Sequence, residues 1–206
     1  MGQILSTMRR LERQKKITPP AWLIDQVHFA CITGSEAYGC NTDNSDRDIY
    51  GWCIPRIEYI FPHTQGYLVH YDNLPKFNEF EMHGVEDTDS GVNYDFKIYN
   101  LVHYVKVLCK QNPNMLDSLF SPPRCILHST QCAQILIDNK TEFLSKQCVK
   151  PFFGYAFAQK TRVDSRLPDG EARLRKYEGK INIQESKYTL KDIESEIAER
   201  GLVLDN

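Results

Sequence analysis

The sequence predicts an α+β fold, with short strands in the first half and a mainly helical C-terminal part. Residues 27–33 and 47–54 are short β-prone runs bounded by turn residues. Residues 92–98 alternate apolar and polar side chains, which is typical of a strand with one buried face. By contrast, residues 3–16 and 99–109 repeat apolar side chains with the period of a helix.

The composition allows an ordinary globular protein. The chain has 206 residues, of which 41% are hydrophobic and 25% charged, so it can bury a sizeable core without disulfides or metals. The formal net charge of −2 does not indicate a protein that coats nucleic acid, because such domains usually carry a strongly basic surface. A local basic groove remains compatible with that total.

The cysteines and the N-terminus predict a compartment. There are seven cysteines, an odd number, and no pair has the C-x-x-C spacing. The N-terminus is charged and lacks the apolar segment of a secretory signal. We therefore expect a reducing, cytoplasmic setting. No apolar run approaches the roughly 20 residues that a transmembrane helix needs.

The first predicted element is an amphipathic helix over residues 3–16. Its apolar stripe consists of Ile4, Leu5, Met8 and Leu11. We expect this stripe to pack on the core and the basic residues around it to be solvated, with a phosphate contact as the alternative. The helix should end before Pro19, because the residue preceding a proline avoids the helical conformation.

The most informative stretch is residues 34–51, GSEAYGCNTDNSDRDIYG. A buried strand leads into Gly34 and Ser35, and a short helix follows, so free backbone N–H groups are available to phosphate oxygens. Ten residues separate Ser35 from Asp46, and Asp46 and Asp48 share one face if they lie on a strand. Two carboxylates so close repel each other unless a cation lies between them, and hard oxygen ligands suit Mg²⁺. A capped turn with solvated acids is the alternative.

A further carboxylate lies in the alternating strand at residues 92–98. Asp95 is central on its polar face, and a helical pattern follows it. Three other residues are alternatives to Asp95 as a third carboxylate beside Asp46 and Asp48: Asp72, Asp87 and Asp89. The acidic turn at residues 86–91 is interpreted as a solvated hairpin loop, with a metal site as the alternative. Helical patterns then cover residues 114–120, 130–148, 151–163 and 189–200.

With Gly34-Ser35, ten intervening residues and Asp46-x-Asp48, the chain resembles the polymerase-beta-type nucleotidyltransferase superfamily. The sequence GSEAYG, followed by SDRD and Gly51, is most similar to the motif of the predicted nucleotidyltransferases that include the RNA-ligase-associated group. That group also tends to carry Asn-Pro-Asn followed by an acidic residue and leucine. The matching residues are Asn112, Pro113, Asn114, Asp117 and Leu119. The resemblance covers roughly residues 25–165.

The resemblance implies a small mixed β-sheet of the nucleotidyltransferase palm type, flanked by helices. It implies that Asp46, Asp48 and Asp95 hold two divalent ions, Mg²⁺ or Mn²⁺, one for the attacking oxygen and one for the triphosphate. Gly34 and Ser35 would hold the β- and γ-phosphates of the nucleotide.

Two further expectations concern Arg47 and the division of the chain. Arg47 points to the opposite face of its strand from the two aspartates, where it contacts phosphate or forms a structural ion pair. We expect a catalytic core over residues 1–125, including the N-terminal helix. A helical extension over residues 126–206 would follow, as a separate part or within the same domain.

The implied activity is the transfer of a nucleoside monophosphate from a nucleoside triphosphate to an acceptor hydroxyl, with release of pyrophosphate. The RNA-ligase association favours an RNA or other nucleic acid end as the acceptor. The alternatives are an enzyme that nucleotidylates (AMPylates) a partner protein and a non-catalytic nucleotide-binding module. The intact carboxylates argue against the second alternative. The nucleobase, the acceptor and the oligomeric state stay open at this point.

Overall fold

The computed structural model describes residues 2–42, 45–68 and 73–166. The helices are α1 (Gln3–Arg13), α2 (Gly34–Tyr38), α3 (Ile57–Ile60), α4 (Leu101–Leu108), α5 (Pro113–Leu119), α6 (Gln131–Asp138) and α7 (Val149–Arg166). The strands are β1 (Val27–Ile32), β2 (Arg47–Cys53), β3 (Glu79–Asp87), β4 (Val92–Asn100) and β5 (Ile126–Ser129).

The five strands form one mixed sheet in the order β3-β4-β2-β1-β5. β2 and β4 are parallel, whereas β3 with β4, β2 with β1, and β1 with β5 are antiparallel. The predicted fold class is confirmed, since a mixed sheet is flanked by helices and the C-terminal part is helical. The parallel pair is at the centre of the sheet, so its inner residues have hydrogen-bonded neighbours on both sides.

The two faces of the sheet bury different apolar clusters. On one face, Ile49 of β2 and Phe96 of β4 join the cluster that contains the apolar stripe of α1. On the other face, Trp52 of β2 and Tyr99 of β4 join Tyr104 of α4 and the buried side of α5. This separation follows from the two-residue period of the strands. Any polar residue in phase with Trp52 and Tyr99 therefore lies on the α4–α5 face.

The packing of α1 agrees with its amphipathic pattern, but its basic face is not simply solvated. Its apolar stripe is fully buried, and burial of such side chains stabilises a fold by roughly 1.5–3 kcal/mol each. Arg9 pairs with Asp25, and Arg10 pairs with both Asp87 and Asp89. The arginines thus attach the helix to the β3–β4 hairpin and to the segment before β1.

The interpretation of residues 86–91 as a solvated loop is wrong at Asp87. This side chain has 0% of its surface exposed. Its carboxylate accepts hydrogen bonds from the Arg10 guanidinium, the Ser90 hydroxyl and the backbone N–H of Asp89. A buried carboxylate needs this much compensation because its charge has lost its hydration.

The sequence patterns did not predict the edge strand β5. β5 is only four residues long, ILHS, and pairs with β1 at the edge of the sheet. The expected boundary at residue 125 falls just before this strand, so the sheet continues past it. The chain divides into two compact units, Met1–Phe152 and Phe153–Asn206. The helix expected at residues 189–200 lies outside the described residues.

Within the described part of the chain, no helix is both long enough and apolar enough to cross a membrane. All seven cysteines fall within the described ranges, and all are free thiols. The core therefore holds together by packing and hydrogen bonding rather than by disulfides.

Candidate active site

The central parallel pair of strands brings two of the predicted site residues side by side. In the register of β2 with β4, Asp48 is directly opposite Asp95. Both are in phase with the buried aromatics Trp52 and Tyr99, so both carboxylates belong to the α4–α5 face. They lie away from the buried aromatics along their strands and remain partly exposed. Residues 47 apart in sequence are therefore joined by strand pairing.

Gly34 lies against the carboxylate of Asp48. Its backbone has φ +65°, and a Cβ placed there would be 2.1 Å from Asp48 Oδ2. The backbone N–H of Thr33 donates to the carbonyl of Asp48 at 2.9 Å, which fixes the turn beside β2. Both the left-handed conformation and the missing side chain are needed here, which only glycine supplies without strain. The first glycine of the motif thus lets the backbone after β1 approach the Asp48 carboxylate.

The last glycine of the motif has a different function. A Cβ at Gly51 would lie 2.2 Å from the backbone carbonyl oxygen of Phe29 on β1. Gly51 is opposite Ala30 on one side and Ile98 on the other, inside the sheet. Its role in this arrangement is structural, since it lets three strands pack closely beneath the carboxylates.

Ser35 and Asp46 are adjacent to this centre. Ser35 is in the first turn of α2, a five-residue helix that ends at Gly39 in the left-handed conformation. Asp46 immediately precedes β2. The two residues before Ser45, at positions 43 and 44, are outside the described ranges. The structure therefore brings Gly34, Asp48 and Asp95 together, with Ser35 and Asp46 next to them in the chain.

Arg47 is engaged by Glu36. Its Nε and Nη2 atoms donate to the two carboxylate oxygens of Glu36 at 2.7 and 2.9 Å. The pKa of Arg47 is raised, chiefly by this hydrogen bond. The paired geometry ties α2 to β2 and corresponds to the ion-pair alternative for Arg47. A contact between Arg47 and a nucleotide phosphate stays a prediction.

The electrostatics of Asp48 show an excess of negative charge. Burial raises the pKa of its carboxyl, and the nearby charges of Asp95 and Asp46 raise it further, while His83 acts in the opposite direction. Two oxygen-rich, mutually repelling carboxylates fit a divalent cation, which would relieve their repulsion. Among the described residues, no three His, Cys, Asp or Glu side chains form a ready-made metal cage. That is compatible with Mg²⁺, which is commonly held by one or two carboxylates plus substrate phosphates and water.

Asp95 differs from Asp48 because other protein groups hold it. His83 Nδ1 lies 2.9 Å from Asp95 Oδ2, and the backbone N–H of Gly84 donates to Oδ1 at 2.7 Å. The hydrogen bond to Asp95 is the main cause that raises the pKa of His83. The sequence patterns did not predict a role for His83, because its distance along the chain from other potential ligands is not typical of a metal site. A signal was nevertheless present, since a glycine inside a strand often marks a bulge.

The competing carboxylates are elsewhere or undescribed. Asp87 and Asp89 are the ion-pair partners of Arg10 on the β3–β4 hairpin, and Asp72 lies outside the described residues. Only Asp95 among the predicted alternatives is opposite Asp48 in the described sheet.

The Asn-Pro-Asn motif supports the same region from α5. The Asn112 side chain caps this helix by accepting from Met115 N–H, and Pro113 occupies its first turn. One helical turn later, Asp117 accepts a hydrogen bond from the Tyr38 hydroxyl of α2. Arg124 donates to the carbonyl of Ala37 at 2.7 Å. Two distant parts of the sequence pattern therefore meet, and α5 holds the short helix that follows Gly34.

Comparison with known protein families matches residues 2–178 to the RNA repair pathway DNA polymerase beta family. The chain belongs to this family. The match covers most of the sequence and confirms the resemblance to polymerase-beta-type nucleotidyltransferases related to the RNA-ligase-associated group. No curated protein matches the chain. At the level of the RNA repair pathway DNA polymerase beta family, the protein is thus a nucleotidyltransferase.

Proposed function

We propose that the protein is a metal-dependent enzyme that transfers a nucleoside monophosphate from a nucleoside triphosphate to an acceptor hydroxyl, an RNA end being the favoured acceptor. The observation that carries the proposal is the placement of Asp48 opposite Asp95 on parallel strands, with the Gly34 backbone against Asp48. The Gly34 backbone and two carboxylates at one point of the sheet support a site for a nucleotide and a cation.

The reaction would proceed by displacement at the α-phosphorus. A bond forms between the acceptor oxygen and the α-phosphorus, the bond from that phosphorus to the bridging oxygen breaks, and pyrophosphate leaves. The acceptor hydroxyl releases its proton to water, so the products are the nucleotidylated acceptor, pyrophosphate and a proton. The reaction needs charge stabilisation and alignment more than it needs a protein nucleophile.

The residues divide these tasks between them. Asp48 and Asp95, with Asp46, would hold Mg²⁺ or Mn²⁺ through their oxygens. Such ions supply charge stabilisation for the triphosphate and acidify the attacking hydroxyl. The backbone N–H groups at Gly34 and Ser35 would bind the β- and γ-phosphate oxygens. Gly34 is suited to this task because its backbone, with no side chain, directly faces Asp48.

The preference for RNA rests on the family, whose description places it in an RNA repair pathway. A partner protein as acceptor is the alternative, and the two are distinguished by where the nucleotide becomes attached. We also infer a reducing, cytoplasmic setting, which the free state of all seven cysteines supports.

The test uses the full chain with each of the four α-³²P-labelled nucleoside triphosphates, Mg²⁺ or Mn²⁺, and single-stranded RNA with a free 3′-hydroxyl. We expect label on the RNA and release of pyrophosphate by the wild type. Asp48→Asn and Asp95→Asn should abolish both. Glu86→Gln is the matched control, because Glu86 is an exposed carboxylate on β3.

Three other outcomes would change or refute the proposal. Label on protein and none on RNA would replace the RNA acceptor by a protein acceptor. Pyrophosphate release that persists in Asp48→Asn would refute the proposed site. Absence of pyrophosphate release, and of label on either RNA or protein, with all four nucleotides would refute the enzymatic function.

A further inference from the structure

We propose that the β-bulge at His83 and Gly84 of β3, supported by Glu81 and Lys97, is the device that positions the Asp95 carboxylate for catalysis. The inference rests on the proposed function and extends it to residues outside the motif at residues 34–51. His83 acts here as a positioning residue, since it contacts the carboxylate rather than the reacting atoms.

The backbone of β3 contains a β-bulge. The antiparallel pairing of β3 with β4 slips between Met82 and Val85, where Met82 is opposite Phe96 and Val85 is opposite Tyr94. Two residues, His83 and Gly84, therefore face the single residue Asp95. Gly84 has φ +61°, a left-handed conformation that glycine adopts without strain. The bulge thus turns two consecutive residues toward one carboxylate.

Both bulge residues donate to the Asp95 carboxylate. His83 Nδ1 is 2.9 Å from Oδ2, and the Gly84 backbone N–H is 2.7 Å from Oδ1. The two donors fix both oxygens, so rotation of the carboxylate about its Cβ–Cγ bond would break at least one hydrogen bond. A carboxylate oxygen has two lone pairs, so each oxygen keeps one that a cation or a substrate hydroxyl can use.

The His83 imidazole ring is itself held in place by Glu81. Its Nε2 atom lies 3.1 Å from Glu81 Oε1, and the Lys97 ammonium donates to the same oxygen at 2.7 Å. Lys97 is two residues after Asp95 on β4 and lies opposite Glu81 in the register. The contacts therefore run from Lys97 to Glu81, to His83 and back to Asp95, all on adjacent strands. Outer residues of this kind set the orientation of ligands in metal sites.

The Asp95 carboxylate needs such support because of its neighbour. Asp95 is directly opposite Asp48, and like charges on paired strands repel. An unsupported carboxylate would turn away from its neighbour, and the pair would no longer point to one place. The donors on Asp95 oppose that movement. The position of His83 also argues against a packing role, since 65% of its side chain is exposed.

The experiment compares four variants of the full chain: His83→Ala, His83→Asn, His83→Gln and the control His63→Ala. Asparagine places an amide N–H near the position of Nδ1, so it keeps a donor for Asp95. Glutamine places its amide near the position of Nε2 and does not. His63 is an exposed histidine on the 3₁₀ turn at residues 62–65 and is a matched loss of an imidazole.

The measurements are Mn²⁺ affinity with a non-hydrolysable nucleoside triphosphate, by electron paramagnetic resonance, and kcat and KM for transfer. We expect His83→Ala and His83→Gln to weaken Mn²⁺ binding or lower kcat by about 10- to 100-fold. His83→Asn should recover most of that loss. At saturating Mn²⁺, KM for the nucleotide should stay near wild type in all four variants, and so should the urea midpoint of unfolding.

Wild-type Mn²⁺ binding and kcat in His83→Ala would overturn the inference, as would equal losses in His83→Asn and His83→Ala. Failure of the proposed function has a different signature. In that case the wild type would neither bind Mn²⁺ nor transfer nucleotide, and the inference would fall with it. If the wild type and Asp48→Asn behave as expected and only the His83 variants do not, the inference alone fails.

Discussion

Asp87 and Asp48 are carboxylates of the same sheet with opposite surroundings. Asp87 is fully buried, yet it receives the Arg10 guanidinium, a hydroxyl and a backbone N–H. Asp48 is only partly buried, yet burial raises its pKa and the nearby carboxylates Asp95 and Asp46 raise it further. Among the described residues, no arginine or lysine forms an ion pair with it. One carboxylate is satisfied by the protein, whereas the other is left with uncompensated charge.

This difference separates a structural carboxylate from a functional one. Folding alone favours a compensated charge, because an uncompensated one destabilises the folded state. An arrangement that keeps Asp48 beside Asp95 is therefore expected to serve a ligand that supplies positive charge. Asp95 is intermediate, because His83 and Gly84 hold it while its remaining lone pairs stay available.

The largest effect is expected from Asp48→Asn. Nucleotide transfer should fall by about a thousandfold or more, because a preorganised charge at the reacting phosphate is lost. Stability should not fall. The folded-state pKa of Asp48 is raised, so its ionised form destabilises the fold above the unfolded-state pKa, and a neutral side chain removes that effect. Urea unfolding at pH 7 measures the second part, and a clear loss of stability would contradict it.

Asp87→Ala should show the reverse behaviour. Removing Asp87 leaves the partly buried Arg10 guanidinium with only the exposed Asp89 as its ion-pair partner, and loss of a hydrogen bond to a charged group typically destabilises by about 1.5–3 kcal/mol. Asp89→Ala is the control, since Asp89 also pairs with Arg10 but is 50% exposed, and we expect at most about 1 kcal/mol. Both values come from urea unfolding. Equal effects of the two substitutions would remove the distinction between the buried and the exposed partner.

Gly51→Ala tests whether the last glycine of the motif is structural. The added methyl group would collide with the Phe29 carbonyl, and overpacking of this kind typically destabilises by about 1–3 kcal/mol. Gly154→Ala on α7 is the control, because a Cβ there meets nothing within 4 Å and alanine favours helix. Thermal unfolding measures both. Activity per folded molecule should remain in Gly51→Ala, and its selective loss would place Gly51 in the site instead.

The smallest effect is expected from pH, through His28 at the β1–β5 edge. Burial lowers the pKa of His28, and His128 lowers it further. The folded state therefore binds the proton less readily than the unfolded state, so stability is full above pH about 6.5 and falls as pH decreases through that value. His83 has a raised pKa and contributes with the opposite sign. Unfolding at pH 7.5 and 5.5 should thus show a smaller acid loss in His28→Asn than in the wild type.

Much of the fold and of the site follows from local sequence patterns. The alternation at residues 92–98 places Asp95 on a polar face, and the spacing of Gly34, Ser35, Asp46 and Asp48 marks the loop and the strand. These features depend on the two-residue strand period and on turn chemistry, which are encoded locally. The match between Asp48 and Asp95 needed one additional assumption, that their strands pair.

The remainder depends on contacts between distant residues. The partnership of Arg10 with Asp87 joins residues 77 apart, so an acidic turn gives no local sign of it. β5 is too short to show a periodic pattern. The role of His83 follows from a register slip between β3 and β4, which is decided by pairing and not by composition.

The central claim, that Asp48 and Asp95 form a cation-dependent nucleotide site, is tested most directly by thermal unfolding with non-hydrolysable nucleoside triphosphates. With Mg²⁺ or Mn²⁺ and nucleotide at about 100 times its Kd, binding should raise the Tm of the wild type by about 5–10 °C. The same nucleotide in EDTA should leave Tm unchanged, and Asp48→Asn should show no shift in either condition. An equal rise in EDTA, or an undiminished rise in Asp48→Asn, would contradict the claim.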